Sequence, residues 1–130
     1  MQDDDQKPLV IAVDERAPGV SVVALAGELD LTSADQLIAR LSELARRDVV
    51  VDLAAVTFVD SSGLNALVAG ARGAEEHGGS YVLAAASPHV LRLFEVVRLR
   101  DSVVVEATVE EALQRGRAAV ADGGPPTAGT

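Results

Sequence analysis

The feature that most narrows the possible folds is an abrupt change of period near the middle of the chain. Val49-Val50-Val51-Asp52-Leu53 is a short β-branched run, too continuous for a strand with one wet face and suited to a sheet covered on both sides. A few residues later Leu64, Leu67, Val68 and Ala71 recur at helical spacing. Between them lies Phe58-Val59-Asp60-Ser61-Ser62-Gly63, where three residues of helix-capping type meet a glycine that lets backbone approach backbone. A buried strand followed by a helix of this kind is the unit of an α/β sheet.

The remaining segments repeat that unit after an opening pair of strands. Leu9 to Val13 and Val20 to Ala26 read as strands joined by the polar Pro18-Gly19 turn, too short a connection for a crossover, so the pair is expected to be antiparallel. Gly27-Glu28-Leu29-Asp30 reads as a loop. It leads into a helix opened by a capping box, Ser33 with Gln36 or more loosely Thr32 with Asp35, and carrying Leu37, Ile38, Leu41 and Leu44 on one face. Arg46 and Arg47 close that helix, where cations suit its dipole. The strand at Val49 to Leu53 is followed by a loop from Ala54 to Asp60 and a helix from about Ser62 to His77, ended by Gly78-Gly79.

Tyr81 to Ala85 is a further strand, and Ser87-Pro88 opens a helix with Leu91, Phe94 and Val97 on its face. Val103 to Val105 is a last strand before a helix capped by Thr108 with Glu111 and running to about Ala119. The expectation is an α/β domain over residues 9–120, a mixed β-sheet of four to five strands with four helices packed on it. An acidic flexible lead, 1–8, and a Gly-Pro-rich disordered tail, 121–130, are expected to flank it.

Composition excludes several chemistries. Aromatic residues are only 2% of a chain that is 48% hydrophobic, so the core must be built from Val, Leu, Ile and Ala. With no cysteine there is no disulfide, thiol nucleophile or thiolate metal site, and with two histidines, His77 and His89, no histidine-rich one; neither metal nor cofactor is expected. A net charge of −9 would repel nucleic acid and anionic lipid and would steer a basic partner. Met1 to Asp5 lacks the basic and apolar regions of a signal peptide, and no apolar run is long enough to span a bilayer, so the reading is cytoplasmic.

The Asp60-Ser61-Ser62 joint supports two compatible roles. Its side-chain oxygens suit capping, and the free amides of a helix N-terminus also welcome a phosphoryl group on an outward hydroxyl. Because sites in such sheets form where strands end and helices begin, Asp30 and the serines are candidates for one shared edge. A serine hydrolase is disfavoured. The joint is not a Gly-x-Ser-x-Gly elbow, His89 opens another helix, and His77 falls about 20 Å along the serine's own helix.

Taken together, Gly27-Glu28-Leu29-Asp30, Val51-Asp52-Leu53 through Phe58-Val59-Asp60-Ser61-Ser62-Gly63-Leu64, and Ser87-Pro88 with Leu91, Leu93 and Phe94 resemble the STAS domain in order and spacing. Within that family the resemblance is to bacterial anti-sigma factor antagonists, and it covers about Leu9 to Ala119. It implies a partner switch. Ser61 matches the phosphorylated serine, with Ser62 as the alternative acceptor, and the modifying enzyme is an anti-sigma factor serine kinase with a histidine-kinase-like ATPase fold. A serine phosphatase resets the cycle. Asp30, Asp60, Ser61, Ser62, Gly63 and Asn65 are the implied partner-binding surface, with a loop cap as the other role for Asp30 and an ordinary solvated position for Asn65. Where the family carries a glycine before a leucine, this chain has Arg98 before Leu99. A STAS subunit of a transporter or signalling scaffold, binding constitutively, is the alternative on the same fold.

Overall fold

The structure, a computed structural model, describes residues 8–122, with side chains described to residue 115. The expected lead and tail lie outside the described residues except at their inner ends. Ten elements follow in order: β1 (Val10–Ala17), β2 (Val20–Leu29), α1 (Ala34–Ser42), β3 (Asp48–Val59), α2 (Ser61–His77), β4 (Ser80–Ala84), α3 (Pro88–Val96), a 3₁₀ turn (Leu99–Asp101), β5 (Val104–Glu106) and α4 (Val109–Asp122). The sheet order is β1-β2-β3-β4-β5. β1 pairs antiparallel with β2, and the other neighbours pair parallel. The mixed five-stranded sheet with four helices is the architecture the sequence patterns imply.

The two faces of the sheet are buried unequally. One carries the main core, in which Val23, Leu25, Val51, Leu53 and Leu83 meet Leu37 of α1, Leu67 of α2 and Phe94 of α3. The other is smaller, with Val22, Val50 and Val82 covered by Ala112 and Leu113 of α4. Burial of both faces explains why the Val49 to Leu53 run does not alternate. Each fully buried Leu or Val contributes about 1.5–3 kcal/mol through apolar area removed from water, which is how a core this poor in aromatics is held together.

Two strands run further than the sequence pattern suggests. Residues 27–29, expected in a loop, complete β2, and residues 54–59, also expected in a loop, complete β3. Past Asp52, β3 leaves β4 and pairs with β2 alone, Ala26 with Ala55 through Leu29 with Val59. Register shifts between Ala24 and Ala26 and between Gly27 and Glu28 change which side chains face inward. Inward residues there, Leu53, Val56 and Val59, fall three apart and hide the strand period.

The helix ends also depart from expectation in part. α1 stops at Ser42 and continues as turns, with Leu44 N–H donating to the Leu41 carbonyl and Arg47 N–H to that of Leu44. Its capping box does not form, because the Ser33 hydroxyl donates to the Glu28 carbonyl and accepts from Asp30 N–H. In α3 the buried pair is Val90 and Phe94, with Val97 exposed at the C-cap. Thr108 caps α4 as expected, its hydroxyl accepting from Glu111 N–H.

Arg98 adopts φ 58°, the left-handed conformation that suits glycine. Its guanidinium reaches Asp101 at 3.2 Å, but both side chains are exposed and such pairs contribute little. Relief of the left-handed strain, about 1–2 kcal/mol for a residue with a Cβ, outweighs that loss. Arg98→Gly is therefore expected to raise stability by about 0.5–1 kcal/mol in urea unfolding; a decrease would show that the ion pair or the arginine stem matters more than the strain.

Candidate functional site

Parallel pairing brings the C-terminal ends of β2 and β3 to one edge, where Leu29 is in register with Val59. Asp60 N–H donates to the Leu29 carbonyl at 3.2 Å and extends that register by one residue. The Asp60 carboxylate then joins the two connections that leave the edge. Oδ1 accepts from Gly63 N–H at 3.0 Å and caps α2. Oδ2 accepts from Leu31 N–H at 3.2 Å and holds the β2–α1 connection beside the helix start. Asp60 is thus both cap and clasp.

Gly63 fixes how closely α2 can seat. A Cβ there would collide with the Leu29 carbonyl oxygen and lie 2.8 Å from Leu29 Cγ, so only glycine lets the first turn of α2 press onto the end of β2. At the other end of α2, Gly78 closes the helix at φ 83°, the left-handed cap expected from Gly78-Gly79.

Because Asp60 takes the capping role, neither serine does. Sequence reasoning allowed one serine to cap while the other is modified; the carboxylate satisfies the amide instead and leaves both hydroxyls spare. α2 begins at Ser61, which is exposed, while Ser62 is half-buried. Among the described residues neither hydroxyl is engaged in a hydrogen bond, and no histidine bonds to either. His77 Nδ1 lies 2.9 Å from the Gly73 carbonyl, at the far end of α2. The relay that a serine nucleophile needs is not assembled. Asn65, one turn beyond Ser61, is exposed on the same face of α2.

Asp30 organises the neighbouring turn. Its Oδ1 accepts from Thr32 N–H at 3.0 Å and the Thr32 hydroxyl at 2.7 Å, and the Ser33 hydroxyl lies at 3.4 Å. The Thr32 hydroxyl in particular holds the Asp30 carboxyl below its ordinary range, against an opposing effect of desolvation. Asp30 therefore stays ionised at neutral pH, and any stability it adds is present above the ordinary carboxylate range and is lost as pH falls through its lowered value. Asp30, Asp60, Ser61, Ser62, Gly63 and Asn65 are all assembled at this one end of the sheet. The clasp from Asp60 to Leu31 and the Ser33 hub were not foreseen; they depend on the register of β2 against β3, which the sequence does not display.

The mixed sheet thus carries an exposed serine at the start of α2, immediately after the Asp60 that ties this helix to the Asp30 turn. The family model described as Mlab, STAS domain matches residues 12–109, and the chain belongs to the STAS domain family. It is 34% identical over 94 residues to the anti-sigma-B factor antagonist of Bacillus subtilis (strain 168), covering 71% of this chain and 86% of that protein. Among solved structures, an anti-sigma factor antagonist from Mycobacterium paratuberculosis superposes with a TM-score of 0.75 at 28% identity, covering 84% of this chain and 94% of the other. The antagonist SpoIIAA in its unphosphorylated form gives 0.70 at 26% identity, over 84% of this chain and 97% of the other. SpoIIAA of Bacillus in its phosphorylated form gives 0.64 at 26% identity, over 83% of this chain and all (100%) of the other.

Proposed function

We propose that this chain, as a single STAS domain over residues 9–120, is an anti-sigma factor antagonist switched by phosphorylation of Ser61. In this reading the unmodified protein binds a kinase-type anti-sigma factor in the cytoplasm and so frees a sigma factor. The anti-sigma factor transfers the γ-phosphoryl group of ATP to Ser61 Oγ, the hydroxyl proton leaves, ADP is released, and the modified antagonist dissociates. A serine phosphatase returns it to the binding state by hydrolysis. The likeness to antagonists, one of them solved in both phosphorylation states, supports the reading. No helix among the described residues is long and apolar enough to cross a membrane.

The observation that carries the proposal is the exposure and freedom of Ser61 at the first position of a helix that another residue caps. Phosphate there gains about −1.5 to −2 charges at an N-terminus whose amides and dipole favour anions, so the fold tolerates it. Against a partner the same charge, close to Asp30 and Asp60, adds repulsion and desolvation, so the complex does not tolerate it. Ser62 is half-buried and presents less of its hydroxyl.

With an ATPase-domain kinase captured from lysate on the wild-type protein and supplied with ATP, peptide mass spectrometry is expected to place a single phosphate on Ser61 and none on the Ser61→Ala variant. Phosphate on Ser62 in both proteins would reassign the acceptor. No phosphate on either serine would overturn the switch.

A further inference from the structure

We infer that Leu31 and Phe58 are the apolar anchors by which the anti-sigma partner grips the surface around Ser61. The inference rests on the antagonist reading and adds the residues that supply its affinity.

The chain has three aromatic residues, two Phe and one Tyr. Phe94 and Tyr81 are buried, so Phe58 is the one aromatic left in solvent, at 45% exposure. It stands two residues before Asp60, paired with Glu28 at the end of the β2–β3 ribbon. Leu31 is 75% exposed, the highest value among the large apolar side chains described, and its N–H is held by the Asp60 carboxylate. Both flank the connection into Ser61. Neither side chain belongs to the buried core on either face of the sheet.

The turn around Leu31 is stiffened before any partner arrives. Thr32 N–H and the Thr32 hydroxyl bond to Asp30, and Ser33 ties the turn to Glu28. A leucine presented on a braced turn loses little freedom on binding, which is the condition for an efficient anchor. Their neighbours by pairing and hydrogen bond are polar and mainly anionic: Glu28 pairs with Phe58, Asp60 holds the Leu31 N–H, and Asp30 holds Thr32, the composition of a rim that surrounds a desolvated hot spot. The complementary surface is an apolar patch edged by Lys or Arg. A kinase bringing ATP to Ser61 comes up against both, because Phe58 lies three residues before the acceptor and Leu31 is bonded to Asp60, the residue immediately before it.

The arrangement divides the work between affinity and control. Leu31 and Phe58 supply contact that is the same in both states, and the charge on Ser61 decides whether that contact can close.

The test uses the ATPase-domain partner recovered on the wild-type protein, re-expressed and titrated calorimetrically with ADP present. Leu31→Ser and Phe58→Ser are each expected to weaken binding about tenfold or more, and the double variant about a hundredfold. Leu31→Met and Phe58→Tyr should retain most of the affinity, which separates lost contact from a disturbed fold. Val96→Ser alters an equally exposed residue, 74%, at the C-terminal end of α3 and should bind as wild type. If the double serine variant binds as tightly as wild type while Ser61→Asp does not bind, the anchors are wrong and the antagonist reading stands. If Ser61→Asp also binds as wild type, the antagonist reading itself fails.

Discussion

Gly63→Ala is expected to destabilise the protein by about 2 kcal/mol or more, whereas Gly73→Ala in the same helix is expected to stabilise it by about 0.5–1 kcal/mol. The opposite signs follow from what each new methyl meets. At Gly63 a Cβ runs into the Leu29 carbonyl and lies 2.8 Å from Leu29 Cγ, and neither can retreat, since Leu29 is fully buried and its carbonyl accepts from Asp60 N–H. At Gly73 the nearest atom is Ala45 Cβ at 3.9 Å, an ordinary contact, so alanine brings helix propensity at no steric cost. For a domain of this size each kcal/mol moves the midpoint by about 3–5 °C, so thermal melts of the two variants should separate by roughly 10 °C. Equal midpoints would mean that α2 can slide away from β2 freely, and that the position of Ser61 is not fixed by Gly63.

Ser61→Asp is expected to reduce partner binding by at least about a hundredfold while leaving the melting midpoint within a few degrees of wild type. The asymmetry is electrostatic. On the free protein a carboxylate at the first helical position faces unpaired amides and the positive end of the dipole, which offsets its repulsion from Asp60. In the complex it is desolvated beside Asp30, Asp60 and the acidic groups a phosphoryl-transferring site uses to hold its metal, and nothing offsets it. Ser61→Ala removes a hydroxyl that takes no hydrogen bond within the described residues, so it should bind like the unmodified protein and resist switching off. A Ser61→Asp protein that unfolds would instead indicate that the helix start cannot carry the charge.

The sheet and its helices were legible because each rests on local chemistry. The β-branched run at Val49 to Leu53, the Pro18-Gly19 turn, the Ser87-Pro88 helix start and the Gly78-Gly79 stop each have one dominant interpretation, and the structure follows them. What was not legible depends on partners distant in sequence. The outer half of β3 reads as a loop because Ala54, Ala55 and Thr57 face solvent and inward residues fall three apart, a spacing set by register shifts against β2. Ser33 and Gln36 have the spacing of a capping box, but the Ser33 hydroxyl bonds back to β2, and Gln36 Nε2 donates to the Leu9 carbonyl at 3.4 Å. Local propensity gave way to tertiary hydrogen bonds at both places.

The site was legible as a set of residues but not as a mechanism of support. Asp60 could be named as a cap type from its neighbours, yet its second oxygen reaches Leu31, 29 positions away in sequence. That reach depends on parallel pairing of β2 with β3. The exposure of Leu31 and Phe58 was not legible: Phe58 was visible only as part of the motif before Asp60, and a lone apolar residue beside a strand end looks like core until its burial is known.

Whether one charge at Ser61 controls an otherwise unchanged surface can be read from a protein with phosphoserine placed at position 61 by genetic encoding. The phosphorylated and unmodified proteins are titrated against the same purified ATPase-domain partner with ADP present. The unmodified protein is expected to bind with micromolar or tighter affinity and the phosphorylated one at least about a hundredfold more weakly, with superimposable circular dichroism spectra. Equal affinities for the two forms would contradict it and leave Ser61 as the unremarkable first residue of a helix.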